Sequence, residues 1–413
     1  MAQFHFRCIE CGEVYREDPT LMVCPVCSGQ QERGGTSRGV LEVVLKSLPT
    51  SWPHFRASDP EFLHAFLPIG DARAIPSIPV GDTPLLEVPR LRHEVGMHRL
   101  FLKDDTRNPS GSTKDRASLL VVTKAIEYGL ETVATASTGN AATALAAVAA
   151  AAGLRAVVFV PDTSPPAKLI QMLSYGATVV PVDGTYDQAF DLCIRACDHF
   201  GWYNRSTALN PFTIEGKKTA ALEIAVDLSL ESPDAVLVPT GDGVILAGLA
   251  KGFRDLETAG LISRRPRLIA VQPEGSSAIA AALRAGKEVV TPMRGAASVA
   301  DSLTVEMPRN AIGCLAEVRA SGGAGVVVSD LAIQASIPRL ANLTGVFAEP
   351  AGAAALAGLE TALEEKLVDR DERVVLMVTG TGLKDVAAAA RAVPMPKAVE
   401  PTLEAVEERI LSS

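Results

Sequence analysis

From Gly81-Asp82-Thr83-Pro84-Leu85 onward the chain alternates short β-branched runs with stretches of helical periodicity, and this alternation limits the folds open to it more than any other feature. The runs Ala156–Val160, Thr178–Val182, Ala235–Pro239, Leu268–Gln272, Val326–Ser329 and Val374–Thr379 read as buried strands. Helices are predicted at Lys168–Tyr175, Tyr186–His199, Ile214–Leu230, Ile245–Leu256 and Ala351–Leu363. Strands joined by helices pair in parallel, because a crossover is needed to bring the chain back in the same direction. At 413 residues the chain exceeds one ordinary core, so more than one domain is expected. Ligands in such folds sit beyond the carboxyl ends of the strands, where small-residue turns lead into helices.

A chain that is 47% hydrophobic and 21% charged has the profile of a compact soluble protein. Its formal charge of -9 argues against a nucleic-acid partner, since nothing neutralises phosphates in bulk. The first residues lack an apolar run of signal-peptide length, and the longest apolar stretch, Ala141 to Leu154, is too short to cross a bilayer. No membrane contact and a cytoplasmic location are expected. Cys8-Ile9-Glu10-Cys11 and Cys24-Pro25-Val26-Cys27 form two C-x-x-C knuckles. Four thiolates from two tight turns suit a closed tetrahedral zinc site in a small ribbon, with two disulfides or free thiols as alternatives. A closed site has no open position for catalysis, so the ribbon is expected to be structural. Arg33-Gly34-Gly35-Thr36-Ser37 reads as its linker, and Leu48 to Pro79 as an arm wrapping the body. Cys193, Cys197 and Cys314 read as buried apolar fillers.

Four turns stand out as carriers of chemistry. Asn108-Pro109-Ser110-Gly111-Ser112-Thr113-Lys114 delivers a lysine onto a helix predicted from Asp115 to about Tyr128. Such a lysine, once buried, can lose its proton and form a Schiff base; a solvated lysine before a helix is the alternative. Thr135-Ala136-Ser137-Thr138-Gly139-Asn140 precedes an alanine-rich helix expected near Ala141. Its small residues leave backbone N–H groups of Ser137, Thr138 and Gly139 free for a carboxylate, unless Ser137 or Asn140 merely caps the helix. Thr240-Gly241-Asp242-Gly243-Val244-Ile245 lets amides converge on a phosphate, although it is neither a Walker loop nor a dinucleotide fingerprint. Asp242 is awkward beside an anion and is expected to turn toward a local donor. Thr379-Gly380-Thr381-Gly382 ends the last strand, and the Thr379 hydroxyl can bond a neutral ring nitrogen, unless this is a plain strand-to-helix turn with the threonines only capping.

In this order the four segments resemble the fold-type II pyridoxal phosphate (PLP) enzymes, of the tryptophan synthase β-like kind, and within them most closely the threonine synthases. The resemblance runs from Gly81 to about Asp385, and the ribbon is similar to one found ahead of some threonine synthases. Glu215-Gly216-Lys217-Lys218-Thr219 and Glu349-Pro350-Ala351-Gly352-Ala353 are similar to further family landmarks. The fold implied is α/β, with two parallel-sheet domains preceded by the small zinc ribbon. The division expected is a ribbon over 1–35, an arm over 36–80, a large PLP-binding domain over 81–130 with 211–395, a small domain over 131–210, and a C-terminal helix or tail over 396–413. The resemblance implies that Lys114 is the Schiff-base lysine and that Asn140 contacts the cofactor hydroxyl. It implies that Gly241, Asp242, Gly243, Val244 and Ile245 offer amides to the cofactor phosphate, and that Thr379 meets the pyridine nitrogen. The structural metal is Zn(2+) on Cys8, Cys11, Cys24 and Cys27, the substrate a small amino acid, and the assembly a homodimer.

The activity implied is conversion of O-phosphohomoserine and water to threonine and phosphate. One departure bears on it. Threonine synthases hold the substrate phosphate with hydroxyl, amide and arginine groups, yet Ala141, Ala208 and Thr213 stand where hydroxyls and an arginine are expected. Arg205, Ser206 and Lys217 are the residues nearby that can substitute. The same catalytic residues would serve β-elimination or β-replacement on serine, threonine or a related amino acid, and an inactive ligand-binding module is a third reading.

Overall fold

Three sheets organise the chain in the computed structural model, which describes residues 3–32, 35–52, 59–161 and 166–411. Arg33 and Gly34 of the expected linker, and residues 53–58 of the expected arm, lie outside the described residues. The first sheet joins β1 (Phe4–Cys8), β2 (Val14–Tyr15) and β3 (Leu41–Leu45), all antiparallel, in the order β2-β1-β3. Phe4, Phe6 and Cys8 alternate into the interior along β1, opposite Leu45, Val43 and Leu41 of β3. The apolar face of β1 needs that cross-strand cover, so the ribbon's sheet takes a strand from beyond residue 35.

β4 (Leu85–Glu87) and β5 (Arg99–Asp104) open the large sheet. The chain then builds the small sheet from β6 (Thr132–Ala136), β7 (Arg155–Pro161), β8 (Thr178–Val182) and β9 (Tyr203–Asn204). It returns to the large sheet with β10 (Ala235–Pro239), β11 (Arg267–Pro273), β12 (Ala324–Val328) and β13 (Arg373–Val378). The orders are β12-β11-β10-β13-β5-β4 and β8-β7-β6-β9. Every pair in these two sheets is parallel except β4 with β5. Two parallel sheets with helical crossovers are the architecture the alternation predicts. The carboxyl ends of the parallel strands of each sheet therefore open on one side, and the four chemical turns follow β5, β6, β10 and β13.

The predicted helix Ile214–Leu230 is divided into Phe212–Glu215, a tight turn at Gly216–Lys218, and Thr219–Asp227. Contact with the lysine helix imposes the change: a Cβ on Gly216 would lie 2.4 Å from the Arg116 carbonyl oxygen. The lysine helix, Lys114–Glu127, is itself pinned by a buried ionic cluster. Arg116 donates to both carboxylate oxygens of Asp105 (2.7 and 2.9 Å), to Glu223 Oε2 (2.8 Å) and to the Thr83 hydroxyl (2.9 Å). Lys103 Nζ reaches the same Glu223 at 2.9 Å. With every charge partnered, the cluster ties β5 and the helix Thr219–Asp227 to the helix that begins at Lys114.

Candidate active site

Lys114 is the first residue of its helix and lies half-buried beyond the carboxyl end of β5. Its approach turn is sewn to the end of β13: Thr113 N–H donates to Thr379 O (2.9 Å), and Thr381 N–H donates to Gly111 O (3.0 Å). Gly111 has φ +84°, and a Cβ there would meet Thr381 Cγ2 at 2.8 Å, so glycine is required for this approach. The lysine and Thr379, far apart in sequence, thus share one crevice wall. Among the described residues Lys114 Nζ has no hydrogen-bond or ion-pair partner. Burial, and then the Arg205 guanidinium, push its pKa down to about 8, against the pull of Asp242 and Glu349. That is the microenvironment in which a lysine serves as nucleophile and base at neutral pH.

The small sheet supplies the facing wall. The helix Asn140–Ala152 begins without a side-chain cap; Ser137 Oγ accepts instead from Gly139 N–H (3.1 Å). Neither Ser137 nor Asn140 acts as an ordinary N-cap, so the first turn keeps donors for an anion. Asn140 Nδ2 donates to Glu349 Oε1 (2.7 Å), while its Oδ1 is buried without a partner. Glu349 opens the landmark Glu349-Pro350-Ala351-Gly352-Ala353, whose sequence alone gives it no site role. It is 2% exposed, and burial raises its pKa. Gly380 leaves room for it, since a Cβ on Gly380 would meet Glu349 Oε1 at 2.5 Å. Lys384 ties the walls together by donating to Thr143 Oγ1 (2.9 Å) and Gln171 Oε1 (2.7 Å).

The glycine loop follows β10 and opens the helix Val244–Thr258. Gly243 has φ +84°, and a Cβ on it would meet Cys314 Cβ at 2.6 Å. Asp242 turns to a local donor, as anticipated: its Oδ1 accepts from Arg309 N–H (3.0 Å) and its carbonyl from Asn310 N–H (3.0 Å). The amides that follow are left pointing past a loop without bulky side chains, a cradle suited to phosphate.

Orphaned polar atoms mark where a ligand would complete the site. Ser110 Oγ, Ser112 Oγ, Thr113 Oγ1, Asn140 Oδ1 and both polar atoms of the Asn310 side chain are buried without partners. A phosphorylated, hydroxyl-bearing aromatic aldehyde fits this donor set: lysine for the aldehyde, amide cradle for the phosphate, amide and hydroxyl groups for the ring edge.

Two cations complete the picture. Arg205, fully buried just past β9, donates only to neutral acceptors: Ser118 Oγ (3.2 Å), Thr207 Oγ1 (3.2 Å) and Lys114 O (3.5 Å). Lys217, 1% exposed, donates to Thr213 O (3.1 Å). Neither meets a carboxylate within ion-pair distance among the described residues. Burial moves Arg205 down to about 10. Burial, with Lys114 and Arg205 adding repulsion, holds Lys217 well below the ordinary lysine range. Thr213 spends its hydroxyl on Asn210 O (2.7 Å), and Ala208 is buried against Ile214 and Val244. Those two positions offer no free donor.

In the ribbon, Cys8 Sγ lies 3.8 Å from Cys27 Sγ, and Cys11 Sγ 3.7 Å from Cys24 Sγ. All four sulfurs fall within 4.8 Å of one another. Thiolates at about 2.3 Å from a tetrahedral ion stand about 3.8 Å apart, whereas a disulfide would bring them to about 2.05 Å. The four thiols are free of disulfides, and Tyr15 Oη lies 3.1 Å from Cys24 Sγ. A surface cleft of about 580 Å³, lined by Arg99, Asp234 and Asp371 among others, lies at the opposite, amino-terminal ends of β5 and β13. Its charged side chains partly satisfy one another, and it holds none of the residues above.

The chain matches the model of the pyridoxal-phosphate dependent enzyme family over residues 77–380, and it belongs to that family. It is 34% identical to the threonine synthase of Methanosarcina acetivorans over 411 residues, 98% of each chain. It is 35% identical to that of Methanocaldococcus jannaschii over 400 residues, 95% of this chain and 96% of the relative. By this kinship it is a PLP-dependent lyase of the threonine-synthase kind, with PLP as cofactor. Among solved structures, the processed form of threonine deaminase isoform 2 from Solanum lycopersicum matches with a TM-score of 0.65 at 20% identity, over 84% of this chain and 96% of that one. Maize serine racemase matches with a TM-score of 0.63 at 22% identity, over 80% and 92%. At such identities the two share the fold with this chain, as the family resemblance implies.

Proposed function

We propose that this chain converts O-phosphohomoserine and water to threonine and phosphate. The observation that carries the choice of a phosphorylated substrate is the buried pair Arg205 and Lys217 beside Lys114, neither in an ion pair among the described residues and each only partly offset, by Asp115 and Asp242 respectively. Burial disfavours the charged form of each, and a dianion that arrives with the substrate would restore it, the Lys217 amine taking up a proton as it binds. They take up the role left vacant at Ala208 and Thr213.

Bound at Lys114, PLP supplies the electron sink for carbanion chemistry at the substrate's Cα. The amides of Gly241, Asp242, Gly243, Val244 and Ile245 would hold its phosphate, Asn140 its ring hydroxyl, and the Thr379 hydroxyl its ring nitrogen. A threonine there, unlike a carboxylate, stabilises no positive charge on that nitrogen. Ser137, Thr138 and Gly139 would shape the substrate-carboxylate pocket at the uncapped helix start, with Thr138 as the amide donor of the three, since Ser137 N–H donates to Phe159 O (3.1 Å) and Gly139 N–H to Ser137 Oγ. Lys114 Nζ, depressed to about 8 and without a competing carboxylate bond, takes the Cα proton. Arg205 and Lys217 bind the phosphoryl group and stabilise the charge left on it as it departs.

We further propose one structural zinc on Cys8, Cys11, Cys24 and Cys27, supported by the tetrahedral spacing of the sulfurs. Residues 81–130 with 211–395 form the PLP-binding domain and 131–210 the small domain in this reading. The working form is a cytoplasmic homodimer; exposed Leu331, Leu383 and Val386 on neighbouring elements supply apolar surface for such an interface. No helix among the described residues is long and apolar enough to cross a membrane. The test is a panel of phosphohomoserine, phosphoserine, serine and threonine, read separately for phosphate, threonine, keto acid and ammonia. Threonine and phosphate in equal amounts from phosphohomoserine are expected. Keto acid and ammonia from serine or threonine, with phosphohomoserine inert, would refute the reading and establish a β-eliminating enzyme.

A further inference from the structure

The ribbon touches the chemistry through two contacts. Ile9, between the cysteines of the first knuckle, packs against the buried cluster that Val40, Ala208, Ile214, Val244 and Ala247 form. Val244 is the residue after Gly243, at the start of the helix that the glycine loop opens. Ile9 also presses on the helix Ala311–Ala320, where a Cβ on Gly313 would lie 3.1 Å from Ile9 Cδ1. The second contact is the strand that leaves the ribbon. Thr36 Oγ1 donates to Pro308 O (2.8 Å) and Arg309 O (3.1 Å), and Ser37 N–H donates to Arg309 O (3.0 Å). Arg309 and Asn310 are the residues whose amides hold Asp242.

The two glycines leave the loop only Asp242 with which to fix itself, so its shape is set by the Arg309–Asn310 segment that Asp242 bonds and by its other neighbours. Here those neighbours are a wedge, Ile9 against the apolar cluster that includes Val244, and a strap, Thr36–Ser37 on Arg309. Both depend on the two knuckles keeping their geometry, which the four thiolates control. The corresponding stretch of the second knuckle, Pro25-Val26, does none of this: Val26 is 61% exposed.

We propose that Ile9 and Thr36 are positioning residues for the glycine loop Gly241–Val244, so that the metal-bound ribbon sets the affinity of the site for the cofactor phosphate. The proposal gives a structural ribbon a second, indirect role, and it rests on the reading that the loop receives the cofactor phosphate. The action is indirect, since neither residue is placed against the cofactor or the reacting atoms.

The full-length protein would be resolved of cofactor and titrated with PLP and with pyridoxal, which lacks the phosphate, while zinc content and thermal midpoint are recorded. Ile9→Ala and Thr36→Val should each weaken PLP binding, Ile9→Ala by roughly tenfold. Their zinc content and pyridoxal affinity should stay as in the parent, Ile9→Leu should restore PLP affinity, and Val26→Ala should change nothing. Mild metal stripping should reproduce the Ile9→Ala pattern. Unchanged PLP affinity in both variants, or equal weakening of PLP and pyridoxal, would overturn the proposal. If the parent and Gly243→Ala bind PLP alike, the loop assignment fails first, and the proposal with it.

Discussion

Lys217→Met should move two observables in opposite directions. Lys217 is wedged against the helix Val244–Thr258, where a Cβ on Gly248 would meet Lys217 Cβ at 2.6 Å, and its amine has one hydrogen bond, to Thr213 O. Methionine keeps much of the length and the apolar stem but carries no donor. Without ligand, the parent bears a buried amine whose charged form is disfavoured by burial and by Lys114 and Arg205. Removing it should leave the ligand-free protein as stable as before or more so, by up to about 2 kcal/mol. The depressed pKa means that the unfolded chain binds more protons than the folded one between the folded value and about 10.4, so stability rises with pH across that window. The variant should lose that part of the slope. With a phosphorylated ligand, the charged amine contributes a hydrogen bond to a dianion of about 1.5–3 kcal/mol. The Michaelis constant for phosphohomoserine and the inhibition constant of inorganic phosphate should therefore both rise roughly 10- to 150-fold. Calorimetry in buffers of different ionisation enthalpy should show proton uptake on phosphate binding in the parent and less in the variant. PLP affinity, measured separately, should not move. A variant that binds phosphate as the parent does would refute the assignment, and a selective loss of PLP would reassign Lys217 to the cofactor.

Lys114→Ala should abolish the borohydride-fixed PLP adduct and lower turnover by a factor on the order of 10³ or more, with little change in thermal midpoint because Nζ has no partner to lose. Capture of PLP by cofactor-free protein should quicken about tenfold per pH unit below about 8 and level off above it, following neutral Lys114; a flat profile in stopped-flow absorbance would contradict this. Gly243→Ala combines a left-handed residue with a 2.6 Å approach to Cys314, together worth about 2–5 kcal/mol, visible as weaker PLP binding or a lower melting point. Arg116→Met strands the buried Asp105, leaves Glu223 with Lys103 alone, and should destabilise the fold by about 3–5 kcal/mol in denaturant titrations. Metal analysis should find one zinc per chain, lost when Cys24 or Cys27 becomes serine.

The strands legible in the sequence are those whose burial is written in their own composition. Ala235–Pro239 and Thr178–Val182 are found where predicted because a β-branched apolar run has few other uses. Arg99–Asp104 and Thr132–Ala136 escaped the sequence reading. One ends in Lys103 and Asp104, whose partners Glu223, Thr83 and Thr106 are mostly distant in sequence, and the other is built of threonine and alanine. Their strand character depends on neighbours in the sheet rather than on their own residues.

Local chemistry is written in adjacent residues: a lysine after a small-residue turn, small residues before an alanine-rich helix, a glycine loop and two cysteine knuckles, whereas it took the structure to show that the alanine-rich helix starts uncapped. What only the tertiary structure decided are charges and contacts between segments. Sequence offers Arg205 and Lys217 as substitutes for the missing phosphate donors and Glu349 as part of a landmark, but charged side chains are mostly solvated and nothing local shows these to be buried. Folding takes the first two out of water without an ion-pair partner among the described residues and hands the third to Asn140. The same holds for Ile9, an unremarked residue inside a cysteine knuckle until the fold packs it against the cluster that includes Val244. Desolvation and packing depend on the atoms that surround a group, and those atoms come from all over the chain.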